Sequence, residues 1–400
     1  MKILVIGNHG NYLRPRDGAD RRRRHLIQEL LKDNDVISLE SNRFAGFVSQ
    51  NWCPERLKIA FFREYYIRGY PVFVPFLDIN PSYLVNLWRI IRTNSVDVVQ
   101  VSFPPGIIAV RIVSKALRRK ISIVYDSHNV ESELRSSTGT GFPWPVDKLF
   151  QYYAWVIEYL ATRVSDLILT ISEDDKDLFS QRYGVSAGKM VYVPFCATFK
   201  PISLDRRQDE RARLGLLSDE VGVIFHGTWN YVPNQEAIKQ ILDVIAPGVL
   251  AMNAKVKFFI AGKDVPCCRR DNVEFLGFIE SIEDLLSAMD IAIAPDGDIR
   301  RTGVRIKLVE YLCFGLPVIT TRAGAKGLRI EDGKHAVILD RVDQNFVDKI
   351  IYYADNQTER NQLGVRAKEY AIEHLNPKTV GSRLYQAYLD MRLRTGSLTE

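Results

Sequence analysis

Short apolar runs of strand type alternate with helical stripes through this chain. They do so twice, on either side of a polar stretch. In the first half the runs fall at residues 2–7, 36–39, 97–102, 121–126, 166–171 and 191–194, with helical patterns at 19–32 and about 146–164. Ser172 closes the fifth run and caps the helix EDDKDLFSQRYG. The stretch CATFKPISLDRRQDERARLGL is charged and has no strand pattern, which predicts a linker at about 196–215. The alternation then restarts at 222–225 and continues at 256–261, 273–276, 291–294, 318–320 and 336–339, before a helical pattern from 342 to about 392. Four hundred residues exceed one hydrophobic core. The expected class is therefore α/β, with two doubly wound Rossmann-like sheets, ligands at the carboxyl ends of the strands, and a cleft between the sheets.

Composition narrows the classes. Apolar residues make up 46% and charged residues 26%, ordinary for a globular enzyme. No apolar run approaches the roughly 20 residues of a membrane span. The start, MKILVIGNHG, reads as a strand and turn, not as a signal peptide. Five cysteines, two of them adjacent, suggest neither a disulfide framework nor a zinc site, and a cytoplasmic setting is expected. Residues 1–200 hold 27 Lys/Arg against 20 Asp/Glu, net +7; residues 201–400 hold 27 against 28, net −1. A basic first half points to an anionic partner there: a membrane surface, a phosphorylated lipid or nucleic acid. No nucleic-acid motif accompanies it. The run Arg21–Arg24, with Arg14 and Arg16 nearby, is either a solvated helix end or part of such an anion-facing surface. Residues 55–95 are rich in aromatics, mostly expected in the core with a share left for an acceptor or a membrane.

The stretch IAIAPDGDIRRTGVRIKLVEYLCFGLPVITTRAGAKGL (291–328) carries the most chemical information. It reads as strand, glycine-bearing loop, amphipathic helix, glycine stop and second strand. The loop delivers a helix N-terminus to the carboxyl end of a strand, where free N–H groups and the helix dipole attract phosphate. Arg305 and Lys307 stand in the first turn, where the dipole alone would favour acids. Glu310 lies within one turn of Lys307 and allows the plainer alternative, an ion pair on a solvated face.

Three of the six histidines, His9, His128 and His226, fall at or just past strand ends, where this fold puts its ligands. Asp126, His128 and Glu131 stand together in VYDSHNVE. They suit a hydrogen-bonded turn, or in principle a pair of metal ligands. Gly227 and Thr228 allow either a tight strand-to-helix turn or close backbone approach to a phosphate. Gly10 and Gly18 flank the first strand-to-helix loop, a poor match to the dinucleotide fingerprint.

These segments together resemble family 4 glycosyltransferases, which have the two-domain GT-B fold. GVRIKLVEYLCFGLPVITTRAGAKGL resembles their nucleotide-sugar-binding segment most closely. The resemblance implies that Arg305 and Lys307 approach the donor diphosphate and that Glu310 holds the donor ribose. Gly303, Val304 and Leu308 fall within the same donor-binding segment. Many members carry a further Glu eight residues earlier; here Thr302 stands there, and Asp296, Asp298 or backbone amides would have to replace it. His128, in an Asp-x-His-Asn-x-Glu pattern, corresponds to a histidine that contacts the donor sugar. Gly227 and Thr228 match a donor-phosphate loop, and the family's Arg…Lys pair is missing there. IAGKD and FLGFIE, with Gly262 and Phe278, match loops that hold the nucleobase. Gly10 and Gly18 match a loop beside acceptor and phosphates. Domains are expected at 1–196 for the acceptor and 197–375 for the donor, with a final helix, 376–400, crossing back to the first.

The activity so implied is transfer of a hexosyl group from a nucleotide sugar, UDP- or GDP-linked, to a hydroxyl of a saccharide or lipid-linked acceptor. Anomeric retention, no metal, no cofactor and no nucleic-acid partner are expected, with a possible anionic membrane surface at the inner face. Two rivals stand beside it. One is a nucleotide-sugar 2-epimerase of the same fold, using Asp126 and Glu131 as acid and base. The other is a non-catalytic nucleotide-sugar or polyanion-binding protein.

Overall fold

A computed structural model describes residues 1–7, 12–13, 18–47, 54–67, 70–71, 76–138, 143–197, 203–297 and 303–396. The chain divides into two compact units, Met1–Cys196 with Pro377–Glu400, and Ala197–Asn376.

In the first unit the strands are β1 (Lys2–Gly7), β2 (Asp35–Ser41), β3 (Leu57–Phe62), a two-stranded ribbon of β4 (Tyr66–Ile67) and β5 (Tyr70–Pro71), β6 (Val98–Ser102), β7 (Ser122–Asp126), β8 (Leu167–Thr170) and β9 (Met190–Tyr192). Seven form one parallel sheet in the order β3-β2-β1-β6-β7-β8-β9, so the chain winds outward from β1 in both directions. Helices α1 (Gly18–Leu30), α2 (Pro81–Thr93), α3 (Ile107–Ala116), α4 (Glu131–Thr138), α5 (Trp144–Val164) and α6 (Glu173–Tyr183) cover its faces. Asn80 caps α2 and Ser172 caps α6 through their side chains, the latter as the sequence predicts. The strands β6, β7 and β8 are buried on both faces, the condition of a parallel sheet between helices.

In the second unit the first helix is α7 (Leu204–Arg213), followed by β10 (Val221–His226), α8 (Val232–Gln240), a π turn at Ile241–Ile245, α9 (Ala246–Met252), β11 (Val256–Ala261), β12 (Cys267–Arg270), β13 (Val273–Gly277), α10 (Ile282–Ala288) and β14 (Ile291–Ala294). Then come α11 (Ile306–Phe314), β15 (Val318–Thr321), α12 (Arg322–Ala325), β16 (Val337–Leu339), α13 (Gln344–Asp355) and α14 (Gln357–His374). The sheet order is β12-β13-β11-β10-β14-β15-β16, parallel except for the edge strand β12.

Two elements depart from the sequence reading. The linker at 196–215 contains α7, capped by Ser203. None of its residues is buried, so it shows no apolar stripe. Arg207 and Arg211 instead fasten it to Asp290, at 2.6 and 2.9 Å. The final helical pattern is three helices, the last being α15 (Pro377–Arg394). It packs on α1 within the first unit and buries Val380, Leu384, Tyr388 and Met391 in that unit's core.

Candidate active site

In the second unit three strand ends are fastened together by glycines. Gly262 follows β11 with φ +145°, and a Cβ there would lie 2.0 Å from the Gly227 carbonyl oxygen, so only glycine fits. Gly227 donates to the Ala261 carbonyl at 2.9 Å, and Gly262 to that of Gly277 at 2.8 Å. Asn234, in the first turn of α8, closes the turn: its Nδ2 donates to the Thr228 carbonyl at 2.8 Å. Its Oδ1 accepts from Lys307 Nζ at 2.7 Å. The ammonium also lies 3.7 Å from the centre of the Phe225 ring.

Lys307 reaches this position from the start of α11. Arg305 occupies the N-cap without a side-chain cap bond, and no acid stands in the first turn. As a residue Lys307 is half-buried. Its amine is nonetheless poorly hydrated, and this desolvation pulls its pKa down to about 7; Asp296 and Glu310 oppose the shift and Arg305 adds to it. Arg305 itself donates from Nε to Asp296 at 2.6 Å and from Nη1 to the Gly303 carbonyl at 3.0 Å. Gly303 has φ +82°, which lets the loop turn into the helix. Val304 and Leu308 are buried beneath it.

Glu310, one turn further, is buried and hydrogen-bonded to His226 Nε2 at 2.8 Å. The next residue, Tyr311, accepts from the His226 backbone N–H at 3.0 Å. The hydrogen bonds of Lys307 and Glu310 thus run to different partners, Asn234 and His226, and do not take the form of a solvated Lys–Glu pair.

In the first unit His128 lies just past β7, and it is buried. Its ring stacks on Phe103, centroids 4.7 Å apart and 23° between planes. Phe103 holds φ +70°, a left-handed conformation costing a non-glycine residue on the order of 1–3 kcal/mol. His128 Nε2 is 3.5 Å from Asp126 Oδ2. Asp126 is fully buried and takes Arg22 Nη1 at 2.9 Å, Gln100 Nε2 at 2.9 Å and Ser102 Oγ at 3.3 Å. Burial alone would raise its carboxyl, but Arg22 and then His128 hold it well below the usual carboxylate range. Tyr388 of α15 donates to Gln100 Oε1, so this helix contributes a side chain to the cluster. Beyond His128, Glu158 of α5 accepts the first N–H groups of α4, from Glu131 at 2.8 Å and Ser132 at 3.0 Å. Glu131 is pushed up to about 7 by its burial and by Glu158 beside it.

The family described as "Glycosyltransferase Family 4" matches residues 16–195, and "Glycosyl transferases group 1" matches residues 220–356. Solved structures agree along the whole chain. Sucrose-phosphate synthase of Thermosynechococcus elongatus is 15% identical, covering 98% of this chain and 99% of its own, with a TM-score of 0.72. This chain is a family 4-like glycosyltransferase of the GT-B fold. HepE of Anabaena, in complex with UDP, is 16% identical over 98% of this glycosyltransferase and 100% of HepE, with a TM-score of 0.72. WaaG, a glycosyltransferase involved in lipopolysaccharide biosynthesis, is 15% identical over 97% and 99%, with a TM-score of 0.67. At these identities the likeness establishes the fold. No curated protein matches the sequence.

Several sequence expectations for this glycosyltransferase change on the structure. Arg21–Arg24 is divided: Arg22 and Arg23 are buried, paired with Asp126 and Glu40, and Arg21 and Arg24 are half-buried. Arg305 is engaged by Asp296 and the loop it closes. Asp126 is locked to Arg22 and is not free to act as an epimerase acid or base. Thr228 and Phe278 are exposed at their strand ends. The aromatic segment splits, with Phe62 and Tyr83 in the core and Phe76 and Trp88 partly exposed. His9, Gly10, Arg14, Arg16, Asp298 and Thr302 lie outside the described residues, and Gly18 begins α1. Among the described residues no three His, Cys, Asp or Glu side chains converge as a metal site, and no helix is long and apolar enough to cross a membrane. Asn234, Arg22, Gln100 and Tyr388 were not legible as site residues, because each acts through a partner distant in the chain.

Proposed function

We propose that the second unit binds the donor as a nucleotide sugar, UDP- or GDP-linked, and that the enzyme moves its hexosyl group to a hydroxyl of a saccharide or lipid-linked acceptor. The observation that carries this is Lys307: a desolvated amine at the start of α11, held by an uncharged amide and an aromatic ring. An anion restores the charge balance that burial has removed. The diphosphate meets Lys307 and the leading N–H groups of α11, and Glu310 takes the ribose. His128 contacts the transferred sugar. HepE of Anabaena in complex with UDP-glucose supports a donor of this class.

The step we propose retains configuration. The bond between the anomeric carbon and the phosphate oxygen breaks, and the acceptor oxygen bonds to the anomeric carbon on the same face. The acceptor proton passes to the departing phosphate oxygen. Lys307 and the helix N-terminus stabilise the charge that develops on the diphosphate, and this is their catalytic contribution without a metal ion. Sequestration of Asp126 by Arg22 agrees with a route that uses no carboxylate nucleophile from that strand.

The test is turnover of a nucleotide-sugar panel in EDTA, with the product anomer read by NMR. Retained configuration in chelator is expected. Inversion, or activity restored only by a divalent ion, overturns the corresponding part. His128→Ala should lower kcat while leaving donor affinity near wild type; unchanged kcat removes the His128 assignment.

A further inference from the structure

The partner of Glu310 is what the sequence patterns leave unexplained. His226 is the last residue of β10, and α11 grips it twice: Glu310 at Nε2, 2.8 Å, and Tyr311 at its backbone N–H, 3.0 Å. The Tyr311 ring stands edge-on to the imidazole, centroids 5.0 Å apart at 84°, so the imidazole has a fixed plane. A carboxylate has no proton to give, so Nε2 carries it and donates to Glu310 Oε2. The Glu310 side chain is 3% exposed and that of His226 12%. A carboxylate this buried needs a donor close by, or it turns toward another. His226 thereby fixes one oxygen of the carboxylate, Oε2.

We infer that His226 is a positioning residue: by holding Oε2 it aims Glu310 at the ribose hydroxyls and so supports the preference for a ribonucleotide over a deoxyribonucleotide donor. The inference rests on the reading that Glu310 binds the ribose. A polar group built to meet a hydroxyl discriminates strongly against a ligand that lacks it, because the site is then left unpaired. That discrimination depends on the carboxylate standing still. With the imidazole gone, Oε2 loses the donor that sets its direction, and the aim of the carboxylate shifts. His226 does not touch the donor in this scheme; it acts through Glu310.

The experiment is calorimetry with UDP and GDP, taking whichever binds, against its 2′-deoxy counterpart. Wild type should prefer the ribonucleotide by roughly tenfold or more. His226→Phe keeps the ring and its contact with Tyr311 but removes the donor. It should bring the ratio to within about threefold by weakening the ribonucleotide alone. His226→Gln, which retains an N–H donor, should keep most of the preference, and His226→Asn, too short to reach, should lose it. The Asn variant gives the answer if the Phe variant does not fold. In a Glu310→Ala background, His226→Phe should change the ratio no further. A wild-type ratio preserved in both His226→Phe and His226→Asn overturns the inference. If Glu310→Ala itself keeps the preference, or wild type has none, the ribose assignment of Glu310 fails first and takes the inference with it.

Discussion

Each unit of this glycosyltransferase buries a cluster of charge beside its strand ends, and the two are built differently. In the first, Arg22 meets Asp126 at 2.9 Å, Arg23 meets Glu40, and Gln100, Ser102 and Tyr388 extend the same network. The charges there balance, and Asp126 is held well below the usual carboxylate range. In the second, Arg305 is neutralised by Asp296, but the amine of Lys307 bonds an amide, and its pKa falls to about 7. A balanced buried pair is structural, because removing either member leaves the other stranded. An amine that burial has made reluctant to hold its proton is unfavourable until an anion arrives, and an anion then gains from it. The first cluster therefore positions His128, and the second receives the ligand.

The largest effect should come from opening the balanced cluster. Arg22→Met strands the Asp126 carboxylate, and urea unfolding should show a loss of about 3–5 kcal/mol. A loss near zero would mean that the network is not closed. Lys307→Met, a similar change in the other cluster, should not lower the unfolding free energy at neutral pH. It should instead weaken nucleoside diphosphate binding by about 1.5–3 kcal/mol, the range for a lost charge-assisted hydrogen bond. Equal destabilisation by the two variants would erase the contrast.

The pH dependence sharpens the same point. Lys307 titrates at about 7 in the folded chain against 10.5 ordinarily, so between these values the unfolded chain binds more protons. Lys307 therefore makes stability rise with pH across that window. Diphosphate binding raises the amine's pKa again, so the complex takes up a proton and affinity should fall as pH climbs above about 7. Calorimetry in buffers of different ionisation enthalpy should detect the uptake, and Lys307→Met should abolish it. Uptake that survives the substitution belongs to another group.

The smallest effect is expected at the edge of the first cluster. Tyr388→Phe removes one hydroxyl and should cost about 0.5–1.5 kcal/mol of stability. If the cluster positions His128, kcat should drop with it while the Michaelis constant for the donor holds. In a His128→Ala background the kcat effect should vanish, and its persistence would make Tyr388 merely structural.

Local pattern determined a good deal of this protein on its own. The strand at 291–294, the helix that follows it and its stop at Gly315 were legible because each depends on residues adjacent in the chain: apolar spacing, a glycine able to reach φ +89°, a proline beyond. Ser172 was legible as a cap for the same reason. The special chemistry of Lys307 as a helix-start cation was visible, but not that Asn234, 73 residues earlier, would hold it. Four successive arginines look solvated in any local view, and only the arrival of β7 and β2 against α1 buries two of them with Asp126 and Glu40. α7 was missed because ion pairs to Asp290 hold it, with no apolar stripe to betray it. Backbone conformation answers to near neighbours and can be read along the chain. The burial of a charge answers to the partner that neutralises it, and tertiary structure alone decides which partner that is.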